Sequence, residues 1–224
     1  MIIHKFGGAS VKDALSIKNL TRIIREEIRE DAVIVVSAIG KTTDKLEKVT
    51  AEVFAENNNW KQSLHNIEEE HISIVKNLFS KNLNSATEKI KEIIDTTKRA
   101  VADGLHLSYD KLYDQIVSTG EILCTTIIHE YLQEQGIALH HLPAHQLIIT
   151  DTTYREAKVD WEATSRQILT TIKDKGSLYL TQGFIGGSGQ GARTTLGREG
   201  SDFTAAIFAN ILDAKEVRIW KDVD

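Results

Sequence analysis

The hydrophobic positions of this chain follow two different spacings. The first run, MIIHKF, is short and apolar, and it ends at Gly7 and Gly8. From Val11 to Arg29 the apolar residues recur at close to helical spacing, and the β-branched run AVIVVSA follows without alternation. A continuous apolar run of this kind is typical of a strand buried on both faces, as parallel strands are. The chain therefore opens with a predicted strand–helix–strand crossover unit.

The same order of elements returns near the end of the chain. IALHHL, SLYLTQGFI and EVRIW are predicted strands, with Pro143 marking a loop entry, and TSRQILTTIK and SDFTAAIFANIL are predicted helices. The segment between about residues 42 and 135 differs, because long charged stretches with helical spacing dominate it. We expect an α/β fold with a mostly parallel central sheet, carrying a mostly helical insertion over residues 42–135.

Composition narrows the function classes. A chain of 224 residues can bury the core of one large domain. Its 27 basic and 32 acidic residues give a net charge of −5, and the basic residues are scattered, so no nucleic-acid partner is expected. The single cysteine, Cys124, excludes an internal disulfide, and its neighbours ILCTTII predict a buried side chain. Without a signal-peptide pattern or an 18-residue apolar run, we expect a cytoplasmic protein that makes no membrane contact.

The first segment suited to an anionic ligand joins the first predicted strand to the first helix. KFGGAS places Lys5 at the strand end and Gly7 and Gly8 in the turn. Paired glycines allow the backbone to approach a ligand, and free amides at a helix N-terminus bind phosphate oxygens. A tight turn beside a surface lysine is the simpler interpretation. The segment is neither a Walker A loop nor the dinucleotide fingerprint.

A second candidate segment, GREGSD, begins the last predicted helix. Ser201 or Asp202 could simply cap that helix. In the functional interpretation, Arg198 pairs with a carboxylate through its planar fork of donors, and Asp202 organises a lysine and a metal. The preceding GSGQG is a weak nucleotide-loop signal, and we predict that it forms the tip of a hairpin between GFIG and RTTLG.

Two further segments carry candidate polar residues. Ser37 ends the buried strand VIVVS, and ligands of parallel sheets collect outside the carboxyl ends of the strands. Thr42 and Thr43 follow, and one of them could cap the next helix. In STGE, Glu121 precedes an apolar helix, where the helix dipole alone favours an acidic residue. None of these segments decides the function by itself.

Taken together, KFGGASV, VVSAIGKTTD, STGE and GFIG…TTLGREGSDFTAA…VRIWKDVD resemble, in order and spacing, the signature segments of aspartokinases in the amino-acid kinase superfamily. The resemblance spans nearly all 224 residues, and TTLGREGSD is its most specific part. It implies a three-layer αβα sandwich that transfers the γ-phosphoryl group of MgATP to the side-chain carboxylate of L-aspartate. The product would be 4-phospho-L-aspartate, at the first step of lysine, threonine and methionine biosynthesis.

The resemblance also implies a role for each matching residue. Lys5 would stabilise charge on the moving phosphoryl group, and Asp202 would hold that lysine and help to place Mg²⁺. Arg198 would bind the α-carboxylate of L-aspartate, and Glu121 its ammonium group. The other implied substrate-binding residues are Ser37, Thr43, Phe184 and Ser201. The implied ATP-binding residues are Lys5, Gly7, Gly8, Ser10, Lys221 and Asp222. No metal-ligating cluster is predicted.

The sequence departs from the family pattern at three positions. Ala9 and Lys221 stand where threonine is usual, and Glu199 replaces a glycine beside Arg198.

Family members also continue further, through a DPR segment and usually into regulatory ACT domains. We therefore expect residues 1–224 to form the first part of a catalytic domain, with an incomplete adenine site that could leave this chain inactive. Aspartokinases often form homodimers, frequently through ACT domains, so a homodimer is a candidate assembly.

Two alternatives stay open. Another member of the superfamily would act on glutamate, acetylglutamate or a nucleotide monophosphate in place of aspartate. A non-catalytic subunit would keep the amino-acid pocket without turnover. A dehydrogenase inferred from GSGQG is disfavoured, because no acidic residue lies at the distance that would complete a ribose site.

Overall fold

The computed structural model of the protein describes residues 1–28, 31–173 and 176–221. Its strands form a five-stranded parallel sheet, in the order β3-β5-β2-β1-β8, and a three-stranded mixed sheet, in the order β4-β6-β7. The strands are β1 (Ile2–Phe6), β2 (Ala32–Val36), β3 (His140–Leu142), β4 (Ile149–Thr150), β5 (Leu178–Gln182), β6 (Ile185–Ser188), β7 (Arg193–Thr195) and β8 (Glu216–Trp220).

Helices make up most of the remaining described chain. A short 3₁₀ helix (Gly8–Val11) follows β1 directly. The α-helices are α1 (Ala14–Glu27), α2 (Thr42–Phe54), α3 (Trp60–Leu78), α4 (Leu83–Gly104), α5 (Tyr109–Val117), α6 (Thr119–Glu134), α7 (Ala144–Leu147), α8 (Trp161–Thr171) and α9 (Gly200–Ile211).

The central strand β2 shows why the parallel sheet is the core. All five of its side chains are buried. Ile34 and Val36 pack into the cluster that also contains side chains of α1 and α6, whereas Val33 and Val35 face the cluster of α8 and α9. Complete burial of an aliphatic side chain of this size contributes about 1.5–3 kcal/mol. The sheet therefore lies between two helical layers, and the predicted three-layer α/β fold is confirmed.

The predicted helical insertion is present as α2 to α6, and the described residues between 42 and 135 contain no strand. Its buried faces extend the larger core cluster away from the sheet. Cys124, on α6, is completely buried, as its apolar neighbours predicted.

The predicted elements near the end of the chain need two corrections. The predicted strand SLYLTQGFI is two strands, because the chain turns at Gly183 and Phe184 between β5 and β6, and Phe184 has a positive φ of 66°. A Cβ at Gly183 would lie 2.5 Å from the Cβ of Ser201, so only glycine fits there. In addition, the predicted strand IALHHL shortens to β3, and β4 was not predicted. The hairpin of β6 and β7 with GSGQG at its tip is confirmed.

No α-helix in the described ranges combines the length and the apolar character needed to cross a membrane.

Candidate active site

A cleft of about 590 Å³ opens at the carboxyl edge of the parallel sheet. Lys5 lies near the end of β1, Ser37 follows β2, Phe184 lies just beyond β5, and Lys221 follows β8. Neighbouring parallel strands end at the same edge, so the strand order brings these four residues together. The side chains of all four line the cleft, together with residues of α2, α5, α6 and the first turn of α9.

An ion pair between β1 and α9 forms part of the cleft lining. The Nζ atom of Lys5 lies 2.6 Å from Oδ1 of Asp202, and the lysine side chain is only 8% exposed. Asp202 lies in the first turn of α9, where the helix dipole favours a carboxylate. The simpler interpretation that Ser201 or Asp202 caps α9 is wrong, because the N-cap residue is Glu199 and no side chain caps the helix. The pair presents a buried cation to the cleft.

The glycine-rich turn after β1 packs tightly against the loop after β2. A Cβ at Gly8 would lie 2.9 Å from the carbonyl oxygens of Ala38 and Gly40, and the amide of Gly40 donates a hydrogen bond to the carbonyl of Gly8. The Ser10 hydroxyl donates to the carbonyl oxygen of Trp220 at 3.0 Å. This turn borders the cleft at Lys5.

The assignment of Gly7, Gly8 and Ser10 to an ATP site remains a prediction. None of the three is part of the cleft lining, although a Cβ at Gly7 would lie 3.7 Å from Nζ of Lys5. The last predicted ATP-binding residue, Asp222, falls outside the described residues.

Glu121 is a buried carboxyl group that faces the cleft. Its side chain lies in the first turn of α6, and the residue is 3% exposed. Oε1 accepts one hydrogen bond from the amide of Ala38 at 3.3 Å, whereas Oε2 has no partner among the described residues. Burial raises the pKa of Glu121 to about 8. One oxygen of this buried carboxyl group is therefore left without a partner, and leaving a buried polar atom unpaired is costly.

Arg198 lies on a turn whose backbone is held in the left-handed region. Gly197 before it has φ 78°, and Glu199 after it has φ 58°. A left-handed conformation costs a non-glycine residue about 1–2 kcal/mol. A Cβ at Gly200 would lie 2.7 Å from Cδ2 of Phe184, which shows how closely this turn packs on that ring. The guanidinium group of Arg198 has no hydrogen bond or ion pair with the described chain, so it is available to an anion.

The cleft lining also includes four residues outside the predicted segments: Glu47, Tyr113, Arg155 and Glu156. The Tyr113 hydroxyl donates to Oε1 of Glu47 at 2.5 Å, and burial raises the pKa of Tyr113 above its usual value. Glu47 lies four residues after Thr43 on α2, a spacing that places both on one helix face and could have indicated it. Arg155 and Glu156 come from an irregular loop, and no sequence pattern pointed to them.

Asp114 connects α5 by hydrogen bonds to the loop that carries Arg155 and to β7. The residue is completely buried on α5, and both carboxylate oxygens accept from the amide of Arg155 at 3.1 Å. The amide and hydroxyl of Thr195, on β7, donate to it at 2.9 and 2.7 Å. Burial outweighs these bonds and raises the pKa of Asp114 to about 6. The loop that carries Arg155 is therefore fixed to both α5 and β7.

Within the described part of the chain, no three His, Cys, Asp or Glu side chains are grouped closely enough to hold a metal ion by themselves.

A parallel α/β domain with a cleft at the carboxyl edge of its sheet belongs to the class of α/β proteins whose ligand sites lie at that edge. Residues 1–224 match the model of the amino acid kinase family. The chain therefore belongs to the amino acid kinase family.

Characterised relatives are similar over the whole chain. The aspartokinase of Chlamydia muridarum is 32% identical over 222 residues, which cover 99% of this chain and 48% of that protein. Chloroplastic aspartokinase 1 of Arabidopsis thaliana is 33% identical over 232 residues, covering 99% of this chain and 40% of that protein. Escherichia coli aspartokinase III, solved with aspartate and ADP, superposes with a TM-score of 0.87 at 28% identity, covering 100% of this chain and 49% of that chain. The chain thus spans about half the length of the relatives that it matches.

Proposed function

We propose that this protein is an aspartate kinase, which transfers the γ-phosphoryl group of MgATP to the side-chain carboxylate of L-aspartate. One observation carries the proposal: a single cleft contains the Lys5–Asp202 ion pair, the unpartnered guanidinium of Arg198 and the unpartnered carboxyl oxygen of Glu121. A cation and a buried carboxylate suit the α-carboxylate and the ammonium group of an amino acid. The similarity to aspartokinases supports aspartate as that amino acid.

The reaction needs little covalent chemistry from the protein. An oxygen of the aspartate side chain would bond to the γ-phosphorus as the bond to the β–γ bridging oxygen breaks, and ADP would leave with that electron pair. The carboxylate is already ionised near neutral pH, so no general base is required. Catalysis then rests on positioning and on stabilising the charge spread over the phosphate oxygens. Lys5 is the buried cation that would stabilise that charge.

The residues present fit a magnesium ion that arrives with the nucleotide. Mg²⁺ in phosphoryl-transfer sites is held by one or two carboxylates together with substrate phosphates, so a three-residue protein cluster is not required. Asp202 is the carboxylate that would hold it, since that side chain is partly exposed in the cleft. When bound, the ion neutralises phosphate charge.

Titration of the purified protein with L-aspartate by calorimetry tests the proposal, with L-glutamate as the competing acceptor. We expect saturable binding selective for aspartate. Arg198→Ala should weaken it by about 10-fold or more, the value of a charge-assisted hydrogen bond. The matched control is Arg166→Ala, an exposed arginine on α8 outside the cleft, which should leave binding unchanged.

Release of ADP that depends on aspartate, in a coupled assay, tests turnover. Selective aspartate binding without ADP release would support the non-catalytic amino-acid-binding subunit. Tighter binding of glutamate or acetylglutamate would move the assignment to another acceptor within the family. A folded protein that binds none of these acceptors would contradict the proposal.

A further inference from the structure

Backbone strain is concentrated at the cleft. Five non-glycine residues in the described ranges have a positive φ, and three of them line the cleft: Arg155 at 68°, Phe184 at 66° and Glu199 at 58°. Glu56 and Asp213, the other two, lie elsewhere. Non-glycine residues held in this region cluster at functional sites, where the surrounding structure enforces the conformation.

The conformation of Arg155 is enforced through its backbone, not through its side chain. Its amide donates to both oxygens of Asp114, which in turn is held by the amide and hydroxyl of Thr195. A glycine at position 155 would make the same backbone bonds without the left-handed strain. The hydrogen bonds to Asp114 therefore do not explain why this residue carries a large side chain.

The contacts of the Arg155 side chain add little stability. Its Nη1 lies 3.3 Å from Oδ1 of Asp110, but the two side chains are 49% and 56% exposed, and exposed ion pairs contribute little. The contacts do orient the group: the guanidinium carbon lies 4.7 Å from the ring centroid of Tyr113 and 5.8 Å from that of Tyr109. Stacking uses the face of the guanidinium group and leaves its edge donors free, and only one of its five N–H groups is bonded within the described chain.

Glu47, an acidic residue of the cleft close to Tyr113, does not form an ion pair with Arg155. The hydroxyl of Tyr113 binds Glu47, while the ring of the same tyrosine supports Arg155. No ion pair joins Arg155 to Glu47, Glu156 or Glu199 in the described structure. The cleft wall thus holds a strained, stacked arginine whose donors are available to a ligand.

We propose that Arg155 is a second carboxylate-binding residue of the cleft, which acts beside Arg198 on an acceptor that carries two carboxylates. This rests on the proposed function, and it adds a specificity residue that is supplied by the loop before α8. A dicarboxylic amino acid offers one carboxylate to each arginine as it enters, and a monocarboxylic amino acid would leave one arginine unpaired. The role concerns affinity for the acceptor, because Lys5 is the cation proposed to stabilise the transferring phosphoryl group.

Calorimetry with Arg155→Gly, Arg155→Lys and the unmodified protein tests this role, with thermal unfolding measured in parallel. L-Aspartate affinity should fall by about 10-fold or more in Arg155→Gly, and by less in Arg155→Lys, which keeps the charge but loses the planar fork. The melting temperature of Arg155→Gly should be unchanged or higher, because the strain is relieved. The matched control is Glu56→Gly, at an exposed left-handed residue outside the cleft (φ 52°), which should leave affinity unchanged.

The outcomes separate this inference from the proposed function. Unchanged aspartate affinity in Arg155→Gly, or a lower melting temperature that accounts for the loss, would overturn the role of Arg155 and leave the aspartate kinase proposal standing. If the unmodified protein binds L-glutamate or acetylglutamate instead, the aspartate assignment fails, and the same variants measured with that dicarboxylate support or overturn the role of Arg155. Failure to bind any dicarboxylate would overturn both.

Discussion

Two groups of residues in the cleft are built on different physical principles. In the paired group, Lys5 on β1 forms an ion pair with Asp202 on α9, and the adjacent glycine turn packs closely on the loop after β2. In the unpaired group, the guanidinium group of Arg198 and one carboxyl oxygen of Glu121 have no partner in the described chain, and Arg155 and Glu199 hold strained backbones. The charges of the paired group are compensated within the protein, whereas the unpaired group leaves polar atoms without partners. Under the proposed function, the unpaired group is the one that would bind the acceptor.

The largest effect is expected from removing the lysine of the paired group. Lys5→Ala removes the cation that would stabilise the transferring phosphoryl group, and the loss of one such electrostatic partner costs about 10²–10³ in rate. The fold should persist, since the core clusters on both faces of the sheet do not include this side chain. Rates of ADP release, together with circular dichroism, measure both expectations.

Lys18→Ala is the control for that experiment, because Lys18 is an exposed lysine on α1 whose hydrogen bond is to the carbonyl of Asn77. A folded Lys5→Ala variant with an unchanged turnover rate would remove Lys5 from the mechanism.

The next effect is expected from changing the unpaired group. Glu121→Gln keeps the shape of the side chain but cannot ionise to pair with the ammonium group of the acceptor, so L-aspartate affinity should fall by about 10- to 100-fold, as expected for a hydrogen bond to a charged group. Because the pKa of Glu121 rises from 4.5 to about 8 on folding, the stability that the carboxyl group contributes is complete below pH 4.5 and is lost as the pH rises through 8.

The free energy of unfolding, measured with urea, should therefore fall across that pH range in the unmodified protein, by at most about 1.4 kcal/mol per pH unit. Glu121→Gln should not show this fall. Glu69→Gln, at an exposed position on α3, serves as the control and should keep the decline. Parallel stability curves for Glu121→Gln and the unmodified protein would mean that this carboxyl group is ionised in the empty cleft.

The smallest effect is expected from Glu199, the acidic residue beside Arg198. Glu199→Gly relieves the positive φ of 58° and removes a carboxylate next to Arg198. Affinity for L-aspartate should rise by about 2- to 5-fold, the range for one exposed charge interaction, with an unchanged or higher melting temperature. Asp213→Gly, at a left-handed residue outside the cleft (φ 47°), controls for the strain alone. Weaker aspartate binding by Glu199→Gly would instead make Glu199 part of the acceptor site.

The prediction from hydrophobic spacing succeeded where burial repeats along a single element. The parallel core strands, the helical insertion and the hairpin around GSGQG all follow from local patterns. The same spacing was a poorer guide at α1, where Leu15 belongs to the apolar series but is 76% exposed. β4 was missed because a pairing of only two residues leaves no periodic signal.

What the sequence determined by itself was the class of fold and the chemistry-bearing residues near strand ends and helix starts, including Lys5, Glu121, Arg198 and Asp202. Their types and local positions reflect short-range constraints on turns, caps and burial. Only the tertiary structure decided that Lys5 pairs with Asp202, almost 200 residues away, and that Arg155 and Tyr113 meet in the lining of the same cleft. These contacts depend on the strand order β3-β5-β2-β1-β8 and on loops held by Asp114, and hydrophobic spacing carries information about neither.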